Sequence, residues 1–227
     1  MRALVRFVVV LAVLAVLAGG VAAWMGVLQV PFLSAQFGMD RPRDLGSAQP
    51  DAAAYAALSK QLGVKLPSPA ANYSFSSRHE FSGSVAVDDT IPESTILAIR
   101  EFQTDTPGLR DVSIRFHAGS AEAAAFIDLA PYGYPLSGPV YTSFRVAVVG
   151  PRRVTVALDA LDFGRLGVPG DIRARAEDAL NGYLTTRLAQ IDGLKIATLA
   201  FREGAVQFAG TLPTTYDASR PQPGAMP

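Results

Sequence analysis

Residues 108–119, GLRDVSIRFHAG, and residues 193–204, GLKIATLAFREG, carry related text at a constant offset of 85 positions. Gly108, Leu109, Phe116 and Gly119 recur as Gly193, Leu194, Phe201 and Gly204, while Arg110 and Ile114 are answered by Lys195 and Leu199. In each block a first glycine is placed to end a helix, apolar residues then alternate with polar ones, and a second glycine suits a hairpin turn. Val112, Ile114 and Phe116 alternate with Ser113, Arg115 and His117, and Gly119 turns that strand into another over residues 123–129. In the second block Lys195 to Phe201 and Ala205 to Gly210 form the hairpin around Glu203-Gly204.

Upstream of each block lies an amphipathic helix. Thr90-Ile91-Pro92-Glu93 reads as a capping box with Pro in the first turn, opening a helix with Ile96, Ile99 and Phe102 on one face. Residues 171–191 form the longer helix, with Ile172, Ala176, Leu180, Tyr183, Leu184 and Leu188 as its apolar stripe. Further strands are read in Phe81, Gly83, Val85 and Val87, in Val140 to Val148, and in Val154, Val156 and Leu158 beyond the turn at Gly150-Pro151. The expectation is an α+β domain with an antiparallel sheet of about six or seven strands and two helices on one face. A strand–helix–hairpin unit used twice explains the repeated text. A single meander, with glycines where any hairpin needs them, explains it too.

This domain is expected to span residues 73–212. Ahead of it, residues 40–72 read as a linker, mostly DRPRDLGSAQP and the Pro67/Pro69 stretch, interrupted by a short helix from Asp51 to Leu62 with Gly63 as its stop. The expectation there is a solvated linker, the alternative being that Arg41, Arg43 and Asp44 dock it against the domain or a partner. Residues 213–227, with Pro213, Pro221, Pro223 and Pro227, read as a disordered tail.

Residues 7–39 contain no charged side chain and follow Arg2 and Arg6. As a helix, residues 7–30 would rise roughly 36 Å, enough for a hydrocarbon core of about 30 Å, before Pro31 ends the run. Residues 1–33 are therefore read as a transmembrane anchor, the alternative being a cleaved signal with Val21-Ala22-Ala23 as its small-residue site. Either way the N-terminal positive charge keeps Met1 cytoplasmic and sends the rest outward. With no cysteine, the exported domain must hold by its core alone.

The segments Leu166-Gly167-Val168-Pro169-Gly170-Asp171, Ala179-Leu180-Asn181, Gly193-Leu194-Lys195-Ile196 and residues 202–211, REGAVQFAGT, together resemble a C-terminal signature of bacterial envelope proteins. A small-apolar-Pro turn opens a helix with a Leu-Asn pair, and a G-x-v-x-v-x-G-t hairpin closes the domain. The chain in this respect is similar to LmeA-like phospholipid-binding proteins and YpmS-like membrane-anchored domains, which look like relatives of tubular lipid-binding folds. The resemblance covers about residues 81–212. It implies a long helix against a curled sheet, an apolar groove for acyl chains, and no catalytic residue.

The groove that this reading requires would draw on Ile96, Ile99, Phe102, Phe126, Phe144, Leu180, Tyr183, Leu184 and Leu188. All of them could equally be spent on an ordinary core. Tyr132 and Tyr134, in the loop Pro131-Tyr132-Gly133-Tyr134-Pro135, are candidates with Tyr141 for an aromatic contact surface, the alternative being an ordinary Pro/Gly turn with the rings packed on the sheet edge. Twenty basic and twenty acidic residues balance, so no electrostatic footprint for nucleic acid is present. His79 and His117 stand apart, without the ligand clustering that a metal needs. No G-x-S-x-G elbow or phosphate-binding glycine loop occurs, and Asp88-Asp89 sit where a helix start favours acids. The expected protein is thus non-catalytic and without cofactor or metal. It is expected to be tethered to a membrane, with its domain extracytoplasmic and binding a phospholipid or glycolipid. The competing expectation is an envelope scaffold or protein-interaction module with a fully packed core.

Overall fold

The computed structural model describes residues 39–63, 79–101, 108–128, 130, 133 and 136–218. The expected anchor or signal segment lies outside the described residues, as do Phe102, Tyr132 and Tyr134 and residues 219–227. No helix among the described residues is long and apolar enough to cross a membrane.

The domain is α+β, with ten antiparallel strands in three open sheets and three helices among the described residues. The largest sheet runs β3 (Leu109–His117), β4 (Ser120–Asp128), β5 (Ser137–Gly150), β6 (Arg153–Phe163) and β7 (Leu166–Gly167) in that order. A second has β9 (Ala205–Leu212) between β2 (Val85–Pro92) and β8 (Lys195–Arg202). The third pairs β1 (His79–Ser82) with β10 (Thr215–Ala218). The expected six or seven strands were too few because the run from Phe81 breaks at Gly83, and because residues read as a tail from 213 onward first pair with β1.

Helix α1 (Ala52–Leu62) forms where the composition placed it. The Asp51 carboxylate accepts the Ala54 N–H at 2.9 Å, and Gly63 closes the last turn. Helix α2 (Glu93–Glu101) starts differently from expectation. Ile91 and Pro92 finish β2, so no capping box forms, and the Glu93 side chain turns into the protein instead.

Helix α3 (Gly170–Ala189) lies along the free edge of β6. Asn181 accepts the Val156 N–H at 2.7 Å and donates to the Val156 carbonyl at 2.9 Å. One turn earlier Glu177 accepts the Leu158 N–H at 2.8 Å, and one turn before that Arg173 donates to the Asp159 carbonyl at 2.8 Å. Spacing of four residues puts all three on one helix face, where they do for the strand edge what another strand would do. A register shift opposite Ser143 and Phe144 leaves Asp159 unpaired in the ladder, and Arg145 holds its carboxylate from the neighbouring strand at 2.6 Å.

Two clusters form the core. Val87, Val154, Leu194, Ile196 and Phe208 join the three-stranded sheet to β6, with Leu184, Leu188 and Ile191 packed on them from the long helix and its end. Phe116, Ala121 and Val206 form the second, with Ile96, Ile114, Phe144, Leu199 and Phe201 around them. In this second cluster the two repeated hairpins meet tip to tip. The Gly119 N–H donates to the Phe201 carbonyl at 3.1 Å, and the Gly204 N–H donates to the Phe116 carbonyl at 3.0 Å. Phe116 stacks on Phe201 with centroids 5.3 Å apart, so each contact has its counterpart 85 positions away. Gly119 (φ 83°) and Gly204 (φ 65°) both take the left-handed conformation that turns the hairpin.

Candidate functional site

The linker, expected to be solvated, is strapped to the domain. Met39 is buried. The Asp40 carbonyl accepts from Arg110 at 3.3 Å, Arg43 sits 4.5 Å above the Tyr141 ring, and the Gly46 carbonyl accepts from Arg115 at 2.9 Å. The Ala48 N–H then reaches Glu93 at 2.7 Å, and the Asp51 N–H reaches the Ser94 carbonyl at 3.0 Å. Residues 39–51 therefore climb the sheet from the start of β3 toward its end. Every docking partner is 43 to 98 positions away in sequence, which is why composition could not show it.

Glu93 is the hinge point of this strap. It is 1% exposed, and its two oxygens accept from Ala48 and, at 2.8 Å, from the Phe116 N–H on the edge of β3. Arg115 lies 3.9 Å from the same carboxylate and 3.7 Å from Glu203. A buried carboxylate is retained when its oxygens are satisfied in this way.

Beside the strap, on the same sheet face, His117 lies between two carboxylates, 3.2 Å from Glu122 and 3.6 Å from Glu203. The Tyr141 hydroxyl donates to Glu122 at 2.5 Å, which holds the Glu122 carboxyl below its ordinary range. Partial burial, followed by that same carboxylate, pushes the Tyr141 phenol up. Tyr141 is thus engaged with Arg43 and Glu122, and Tyr132 and Tyr134, expected beside it, lie outside the described residues. Among the described residues no group of His, Asp and Glu is arranged to hold a metal ion.

A cleft of about 470 Å³ opens where the strap begins, lined by Gly108, Leu109, Arg110, Phe126, Asp128 and Ser137. Phe126 is buried and the Arg110 guanidinium sits over its ring, 3.8 Å from the centroid. Arg110 also pairs with Asp111 at 2.8 Å; Asp111 itself adopts φ 53° at a bulge between Arg110 and Ser113. The lining is mixed, with Leu109 and Phe126 beside Arg110, Asp128 and Ser137, and the cleft is open to solvent.

The residues expected to line one groove are distributed over several places. Phe126 lines this cleft. Ile96 and Phe144 pack in the hairpin-tip cluster, with Phe144 edge-on to Phe201 at 5.8 Å. Leu184 and Leu188 pack on the other cluster, while Leu180 and Tyr183 are exposed on the outer side of α3. The stripe of α3 divides because its inner face is given to Arg173, Glu177 and Asn181. The side chain of Ile99 and the whole of Phe102 lie outside the described residues. Arg110, Asp128 and Ser137 come together only once the start of β3, the end of β4 and the start of β5 are aligned in the sheet, and Glu93 meets Ala48 and Phe116 only at the other end of β3. Comparison of the chain with protein-family models, with curated protein sequences and with solved structures returns no match.

Proposed function

We propose that this is a membrane-tethered, extracytoplasmic, non-catalytic protein that binds an amphipathic lipid or glycolipid. The observation that carries the reading is the cleft at the foot of the strap, where half-buried Leu109 stands beside Arg110, whose guanidinium covers Phe126. A guanidinium has five N–H donors, and Arg110 commits two nitrogens to Asp111 and the Asp40 carbonyl, so donors remain for an anionic or hydroxylated headgroup. Acyl carbons laid on Leu109 would gain about 0.8 kcal/mol per buried CH₂. The same reading takes the fold as a curled sheet with a strand–helix–hairpin unit used twice. What supports the duplication is the reciprocal bonding of Gly119, Phe201, Gly204 and Phe116.

A second reading, an envelope scaffold or interaction module with a packed core, is favoured by the placement of Ile96, Phe144, Leu184 and Leu188 in the two clusters. Native mass spectrometry of the full chain extracted from membranes separates the two. Co-purified lipid, reduced when Ser137→Trp fills the cleft, is the outcome expected of lipid binding. A lipid-free wild-type chain sinks that reading and leaves the scaffold.

A further inference from the structure

The tether in the proposed function has a consequence for orientation, because the strap fixes where on the domain the uncharged run arrives. Met39, its last residue, is already buried in the domain, and the Asp40 carbonyl is held by Arg110 at the start of β3. One row of pairings crosses the large sheet from that point. Arg110 is paired with Phe126, Phe126 with Pro139, and the Gly164 N–H donates to the Pro139 carbonyl at 2.7 Å; adjacent Phe163 pairs with Leu166. Strands about 4.8 Å apart place Leu166 roughly 19 Å from the docking point, at the same end of the sheet.

That end carries exposed apolar side chains. Leu166 is 39% exposed in β7, and Ile172, in the first turn of α3, is 51% exposed. The eight residues from Pro31 to Gly38, uncharged and containing Phe32, Leu33 and Phe37, can span at most about 29 Å. The opposite end of the sheet has an exposed apolar residue as well, Val149 at 47%, but it lies ten residues along β5 from Pro139, about 33 Å away. From Met39 the strap runs up the sheet toward Arg115 and Glu93, so no part of it brings Val149 nearer the tether.

Resting on the membrane-tether reading, we propose that the end of the large sheet bearing Leu166 and Ile172 is the bilayer-facing end of the domain, its occupant a phospholipid surface. The strap would then act as a brace that sets the domain's orientation, where a free linker would let it tumble.

The chain has no cysteine, so single labels are clean. Full-length chains carrying Leu166→Cys, Ile172→Cys or Val149→Cys, each with an NBD fluorophore, are reconstituted into phosphatidylcholine–phosphatidylglycerol vesicles. The expected result is a blue-shifted emission that rises at least twofold at positions 166 and 172 and is quenched by doxyl-labelled lipid, with position 149 unchanged. Chains that float with the vesicles but leave 166 and 172 silent, or that respond as strongly at 149, overturn the orientation while the tether stands. Chains that fail to float overturn the tether and this inference together.

Discussion

The two glycine-tipped hairpins, β3–β4 and β8–β9, share their turns and their stacked phenylalanines but differ in what their outer faces carry. His117 and Glu122 pair across the first at 3.2 Å, and at the matching positions of the second Arg202 and Gln207 pair at 2.7 Å. Arg115 in the first holds the strap, whereas its counterpart is Ala200, with nothing to hold a carbonyl. Glu93 closes the edge of β3 at Phe116 through its side chain and meets the second hairpin only through its backbone, donating to the Gly204 carbonyl at 2.9 Å. Shared text thus accounts for the junction between the hairpins. The differing text decides which of them receives the linker.

The two hairpins differ most in energy at the stacked rings. Phe116 is buried and Phe201 half-buried, so Phe116→Ala is expected to cost about 3–5 kcal/mol in urea unfolding and Phe201→Ala clearly less. Equal losses would mean that the ring stack, and not the asymmetric burial, governs the junction.

Next comes the carboxylate that serves only the first hairpin. Glu93→Ala leaves the Ala48 and Phe116 N–H groups without their acceptor and is expected to cost about 3 kcal/mol. The same change should release the strap, seen as faster tryptic cutting after Arg43, Arg41 being protected by Pro42. Unchanged cutting would show that Arg110 and Arg115 suffice to hold it.

The turns themselves test the symmetry. Nothing stands within 4 Å of a methyl group added at Gly119 or Gly204, so Gly119→Ala and Gly204→Ala should each cost only the left-handed backbone strain, about 1–2 kcal/mol. A difference above 1 kcal/mol between them would show that the two tips are not equivalent.

The smallest effect separates the polar pairs. Because Glu122 titrates below its ordinary range when folded, its contribution is present above the unfolded pKa and lost as pH falls through the lowered one. Tyr141→Phe removes the largest cause of that shift. Its carboxyl resonance should then titrate at higher pH by NMR, and the stability gap to wild type should close in acid. The Arg202–Gln207 pair contains no acid and should show no such dependence. An unmoved Glu122 midpoint would assign the shift to His117 and Arg43 instead.

Much of the local architecture was legible from residue order. Asp51 and Gly63 bracket α1 as their chemistry requires, and both hairpins turn at the glycines the repeat marked. Thr90-Ile91-Pro92-Glu93 misled because a local capping signal competed with a distant one: β2 continues through Pro92, and Glu93 finds its partners at Ala48 and Phe116. Of the α3 stripe, Ile172, Leu180 and Tyr183 face solvent because the helix docks on a strand edge through polar groups, which apolar spacing alone does not show. Of the residues that line the cleft, Gly108, Leu109 and Arg110 were legible only as parts of the repeat, and Phe126 alone as a site residue.

By itself the sequence determined the three helices, the longer strands and where the two hairpins turn, because those choices rest on neighbours within a few positions and on the period of apolar residues. It determined as well that an uncharged run precedes the domain. Tertiary structure alone decided that the linker is a strap, that the tips of the two hairpins bond to one another, and that Arg110, Phe126, Asp128 and Ser137 enclose a cleft. Those contacts join residues far apart along the chain. Their energies depend on sheet register and burial, neither of which any local pattern carries.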